Sequence, residues 1–207
     1  MNKTYFITGI GTDVGKTVVS AIVTEALEAD YFKPIQAGDL DYSDTHKVKA
    51  MVSNATSKFH DNVYALHTPM SPHAAAEIDN THIQLEHIQR PKVQNNLVIE
   101  GAGGLLVPLN SKDCIIDLIA KSDKIIVVSR HYLGSINHTL LSVEALKSRG
   151  FSNIGIIFSG DEHPTTESII LEKTQLPCIG RIDEEKEFTN TVVSNYAKAL
   201  KHNLEKL

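Results

Sequence analysis

Thr8-Gly9-Ile10-Gly11-Thr12-Asp13-Val14-Gly15-Lys16-Thr17 is the stretch that decides the fold of this 207-residue chain. An apolar run, Tyr5–Thr8, leads into it and reads as a short strand, while Val18-Val19-Ser20-Ala21-Ile22-Val23 behind it reads as an apolar helix. Strand, glycine loop and helix form the context that a phosphate-binding loop requires. Glycines let the backbone turn its N–H groups inward around phosphate oxygens, and the following helix offers its positive N-terminus. Lys16 can reach β- and γ-phosphates, and the Thr17 hydroxyl suits Mg²⁺. Five residues separate Gly9 from Gly15, one more than the usual G-x4-G-K-[ST], and Ile10 stands where the first glycine is expected, so the loop is a variant.

Outward from this loop, apolar runs rich in β-branched residues alternate with helix-length segments. Strands are predicted at Tyr5–Thr8, Tyr31–Lys33, Leu97–Glu100, Lys124–Ser129, Ile154–Phe158 and Cys178–Ile182. Helices are predicted at Lys16–Glu28, Asp44–Val52, Ile115–Lys121, Ser135–Arg149, Thr165–Lys173 and Phe188–Leu204. Unbroken apolar strands with helices between them imply an α/β fold, a mostly parallel β-sheet flanked by helices. Ser135 is a candidate cap, Gly150 a C′ glycine and Pro164 a helix start. Prolines 69, 72 and 91 interrupt any period between Phe59 and Pro91, where loops and short helices are expected. Without repeats or linker-like shifts, residues 1–207 read as a single domain.

Composition narrows the function classes. At 42% hydrophobic and 22% charged, with a formal net charge of −5, the chain has a globular balance and no general attraction for nucleic acid or anionic lipid. No apolar run approaches the roughly 20 residues of a membrane helix, and Met1–Phe6 has no leader-like apolar core, so a cytoplasmic location is expected. The two cysteines, Cys114 and Cys178, read as small buried apolar residues. The ten histidines show no zinc-like spacing and read as solvated or capping groups.

Three further clusters fall where a parallel sheet places its active face, just after strands. Leu97-Val98-Ile99-Glu100 ends in a carboxylate followed by Gly101-Ala102-Gly103-Gly104; Glu100 either serves a metal or faces solvent. Lys33-Pro34-Ile35-Gln36-Ala37-Gly38 puts a lysine at a strand tip, where it can neutralise charge developing in a transfer. Asp44 beyond it either caps a helix or reaches a metal. Leu133-Gly134-Ser135-Ile136-Asn137-His138 is either a plain capped helix start or a helix N-terminus that receives a carboxylate.

Taken together, and joined by Pro69-Met70-Ser71-Pro72-His73, these segments resemble the dethiobiotin synthetase family in their order along nearly the whole chain. The family's own phosphate loop has the extra residue. The resemblance implies a homodimeric, P-loop NTPase-like enzyme that converts 7,8-diaminononanoate, CO₂ and MgATP to dethiobiotin, ADP and phosphate. A carbamate forms, is phosphorylated by ATP, and the second amine closes the ureido ring. On this resemblance Lys16, Lys33 and Thr12 are the catalytic set, and Thr17, Asp44 and Glu100 hold Mg²⁺. Asp13, Val14, Gly15, Lys16, Thr17 and Val18, with Gly101, Ala102, Gly103 and Ser159, bind nucleotide. Thr12, Lys33, Ala37 and Gly103 contact the diamine end. Ser135, Ile136 and Asn137 of a second subunit receive the distant carboxylate.

The chain departs from many relatives at Ala37, where a hydroxyl contact is missing, and at Ser159, where an Asn would read adenine with two hydrogen bonds. Gly180-Arg181-Ile182-Asp183-Glu184 also lacks a proline often found beside the base. Among rivals, a partitioning-type switch ATPase would carry a second lysine where this chain has Gly11. An amidotransferase would need a further domain, and an inactive relative would not need Lys16, Thr17, Lys33 and Glu100 intact.

Overall fold

The computed structural model describes residues 2–207. In chain order the elements are β1 Thr4–Gly9, α1 Lys16–Leu27, β2 Asp30–Phe32, β3 Ile35–Ala37, α2 Asp44–Met51, β4 Phe59–His60, β5 Tyr64–Leu66 and α3 Pro72–Ile78. There follow β6 Leu97–Gly104, β7 Lys124–Arg130, α4 Ser135–Ser148, β8 Ile154–Ser159, α5 Pro164–Thr174, β9 Cys178–Ile182 and α6 Asn190–Lys206. Seven strands form one parallel sheet in the order β4-β2-β6-β1-β7-β8-β9, and β3 pairs with β5 in a separate small parallel sheet.

Side-chain alternation sorts the core into two layers. Tyr5, Ile7, Tyr31, Val98, Ile126 and Val128 pack against α1, α2 and α6 on one face. Phe6, Phe32, Ile99, Ile125 and Val127 pack on the other, with Leu146 of α4 and the segment from Leu105 to Ile119. Ile170 of α5 covers Ile156 and Phe158. With apolar residues on both faces, the central strands need no polar alternation.

Local reasons account for the departures from the expected elements. The stretch from Ile115 forms only a 3₁₀ turn, Ile115–Leu118. The Asp123 carboxylate, held by Arg90, accepts the Ala120 N–H and so takes an amide the helix would need. Gly134 in the left-handed region, φ +107°, precedes α4, and Ser135 is buried without capping. Thr189 caps α6 by accepting from the Val192 N–H, which delays its start to Asn190. β6 runs on through its glycines, with Gly104 beside Gly9 after a register shift. Cys178 is exposed at the first position of the last strand of the sheet, and Cys114 is only partly buried. No helix among the described residues is long and apolar enough to cross a membrane.

Candidate active site

Register builds the centre of the site. In the parallel pair, Tyr31 lies beside Val98 and Phe32 beside Ile99, so one further step sets Lys33 next to Glu100. The two-residue period of a strand turns Tyr31, Lys33, Val98 and Glu100 to the face covered by α1 and α2. Those helices begin there, α1 with Lys16 and Thr17, α2 with Asp44. Ser43 is the N-cap of α2, and its N–H donates to His46 Nδ1 at 3.1 Å. The Asp44 carboxylate is thereby left free of capping and points to Lys33.

The resulting cluster is dense. Glu100 Oε1 accepts from Lys33 Nζ at 2.9 Å and from Thr17 Oγ1 at 3.0 Å, and Oε2 accepts from Tyr31 Oη at 2.8 Å. Lys33 Nζ also donates to Asp44 Oδ2 at 2.5 Å. Glu100 is 1% exposed and Lys33 5%, so these charges act with little water between them. Burial alone would pull the Lys33 pKa down, but Glu100 and Asp44 outweigh it and hold the ammonium above its ordinary value. Burial likewise works against the Asp44 carboxylate, yet Lys33 and Lys47 keep its pKa below the usual range.

The glycine loop closes over this cluster. A Cβ on Gly9 would lie 2.5 Å from the Val14 side chain, and Gly15 adopts φ +93°, so both positions need glycine. Lys16 Nζ donates to the Gly11 carbonyl at 2.8 Å. Its burial outweighs the pull of Glu100 and lowers its pKa to about 8, an ammonium short of anionic partners at the start of a helix. Thr17, Asp44 and Glu100 form an all-oxygen donor set. Two carboxylates and a hydroxyl fit Mg²⁺, an ion usually held by one or two carboxylates together with phosphate and water.

A cavity of about 790 Å³ runs from this cluster along the sheet's C-terminal edge. Thr12, Asp13, Gly15, Lys16, Thr17, Val18, Lys33, Ala37, Asp44, Glu100, Ala102, Gly103 and Ser159 all line it. Val14 is buried beneath the loop, and Gly101 packs against Phe6 and Ile115 instead. Ser135, Ile136 and Asn137 start α4 away from the cavity of their own chain. On the other side of the glycine loop Ser159 lies beside Gly15, Arg130 pairs with Glu184, and Phe188 lines the wall.

Comparison with known proteins assigns the family. The AAA domain family matches residues 3–192. An ATP-dependent dethiobiotin synthetase of Christiangramia forsetii is 65% identical over 204 residues, covering 99% of each chain. The chain belongs to the dethiobiotin synthetase family. Another synthetase of this family, from Cytophaga hutchinsonii, is 47% identical over 96% of this chain and 97% of its own. A ParA family ATPase of Chlorobium tepidum superposes with a TM-score of 0.61 at 12% identity, over 95% of this chain and 98% of its own. The Aquifex aeolicus cell-division protein MinD gives 0.58 at 15%, over 99% and 97%. These last two share the fold only.

Two residues border the synthetase site without a role assigned to them from sequence. Gln36 is buried, donates through Nε2 to the Gly38 carbonyl at 2.9 Å and accepts the Asp44 N–H at 3.3 Å, tying β3 to the start of α2. Tyr31 sits wholly inside the core behind Glu100. Its signal in the sequence was its place two residues before Lys33 on one strand, which puts both on the same face as Glu100.

Proposed function

We propose that the chain catalyses the ATP-dependent closure of a ureido ring on 7,8-diaminononanoate, with Lys33 as the residue around which the reaction is organised. The observation that carries this reading is the Lys33 ammonium, buried between Glu100 and Asp44 beside Thr17 at the phosphate end of the cavity. One substrate amine adds to CO₂ and loses a proton, giving a carbamate. A carbamate oxygen takes the γ-phosphoryl group of ATP, and ADP leaves. The second amine then attacks the carbonyl carbon: a C–N bond forms, the C–O bond to phosphate breaks, and a proton is released.

This chain's residues would act by placement and charge. Lys16 and Lys33 would face the phosphoryl oxygens as charge moves onto them. The backbone of Asp13 to Val18 would cradle the phosphates, and Thr12, Ala37 and Gly103 would border the diamine. Holding both amines beside the activated carbon turns ring closure into an intramolecular step. Thr17, Asp44 and Glu100 would hold Mg²⁺, which when bound draws charge off the phosphoryl oxygens.

We further propose a homodimer in which Ser135, Ile136 and Asn137 of a second copy receive the substrate carboxylate. The exposure of Leu133, Ile136 and Leu141 around the start of α4 supports that reading, because apolar side chains of this size are usually covered. Phosphate release from MgATP and bicarbonate, measured with and without the diamine, tests the reaction. Diamine-dependent release together with the ureido product by mass spectrometry is expected. Turnover that ignores the diamine and yields no ureido would reject it.

A further inference from the structure

We propose that Tyr31 is a positioning residue for this reaction: its phenol fixes the Glu100 carboxylate so that Oε1, and not Oε2, is presented to the phosphate end of the cavity. The inference deepens the reading above and rests on it for the role of Glu100. A glutamate's terminal torsion is soft, so an unrestrained carboxylate would exchange its two oxygens. Here Tyr31 Oη occupies Oε2 at 2.8 Å, and both cavity-facing donors, Thr17 Oγ1 and Lys33 Nζ, fall on Oε1.

The position of the phenol is itself set by the core. Tyr31 has no solvent exposure, is on β2 between β4 and β6, and its ring lies 6.3 Å from that of Phe59 on β4. Packing alone would be served by Phe. The hydroxyl is a buried polar group whose hydrogen bond goes to Glu100. A phenol is protonated at neutral pH and is therefore a donor to the carboxylate. A neutral donor satisfies one carboxylate oxygen without adding positive charge. The charge balance among Lys33, Asp44 and Glu100 is thus left unchanged.

The test is Tyr31→Phe in the full chain, a change that removes one oxygen and keeps the ring. Mn²⁺ binding in the presence of ADP, followed by the electron paramagnetic resonance of free Mn²⁺, is expected to weaken by about tenfold or more, the scale of losing one hydrogen bond to a charged group. Metal-free ADP affinity and the KM for the diamine are expected to hold, while kcat falls. Unchanged Mn²⁺ affinity, or an equal loss of metal-free ADP affinity, would overturn the proposal. In a Glu100→Gln background the same Tyr31→Phe change is expected to add less than a twofold further loss. A full additional loss there would show that the phenol acts elsewhere. Phe59→Leu, which loosens the ring without touching the hydroxyl, is expected to lower Tm but leave Mn²⁺ affinity intact; a matching loss of Mn²⁺ affinity would reduce Tyr31 to packing. These titrations use no diamine, so they and the ring-closure reading can fail separately.

Discussion

The two ends of the cavity are built on opposite electrostatic terms. At the phosphate end, Lys33, Glu100, Asp44 and Thr17 are tied to one another by short side-chain hydrogen bonds inside the protein. At the other end, Arg130 and Glu184 pair at the rim, with side chains 38% and 46% exposed, and Ser159 offers one hydroxyl. A buried charge keeps its strength and its direction, whereas a rim pair is screened and contributes about 0–1 kcal/mol. One end is suited to stabilising a moving charge at a fixed point. The other offers only a screened pair and a hydroxyl.

Breaking the buried end has the largest expected effect. Lys16→Ala and Lys33→Ala should each lower kcat by on the order of 10³-fold, the scale of removing a preorganised charge donor. Lys16→Ala should keep its Tm. Lys33→Ala should also lose about 3 kcal/mol of stability, since it leaves the buried Glu100 without its paired cation, and regain part of it with Mg²⁺ in a thermal melt. Near-normal turnover in either variant would erase the contrast between the two ends.

The rim end is sharpened by base selectivity. Turnover with GTP and CTP is expected within about tenfold of that with ATP, and Ser159→Asn should raise the preference for ATP by about tenfold, the worth of a bidentate base contact. A hundredfold preference for ATP in the unmodified protein would sink this reading.

A smaller effect concerns Glu167, which accepts from His131 and pairs with Arg181 near the same end. Burial alone would raise its pKa, but the hydrogen bonds from Arg181 and His131 outweigh that and hold it below 4.5. A depressed carboxylate contributes stability that is present above its unfolded value and is lost as pH falls through its folded value. Tm should therefore drop below about pH 4.5, and Glu167→Gln should flatten that drop; an unchanged slope would remove Glu167 from the account. Smallest of all, Arg130→Ala should change the unfolding free energy by less than about 1 kcal/mol in a denaturant melt.

The same contrast explains what was legible in the sequence. Phosphate chemistry needs fixed residue types at fixed spacings, so Gly9 to Thr17, Lys33, Asp44 and Glu100 stand out, and six strands of the main sheet were readable as apolar runs. β3, β5 and β4 are three, three and two residues long, and, unlike the three-residue β2, they lie outside the strands expected from the sequence. α3 is one of the short helices expected between Phe59 and Pro91, but Pro69 and Pro72 hide its bounds, although a proline at its first position is a normal helix start. The helix expected after Cys114 failed for a reason no window contains, the distant Arg90–Asp123 pair. Tyr31 and Gln36 escaped notice because their roles depend on which strand lies next door. Cys178 misled because burial follows its place in the sheet and not its residue type.

Strand order also bears on how the molecule is made. β1, which carries the glycine loop, has β6 and β7 as neighbours, and β2 lies beyond β6. As the chain leaves the ribosome, its first strand thus waits for one partner that begins 93 residues later and another that begins 120 residues later. Such non-local pairing slows folding and leaves strand edges open in the interval. The nucleotide loop is first in synthesis but gains both its strand neighbours only once Arg130 has been made, so ATP can reward only a chain that has come at least that far.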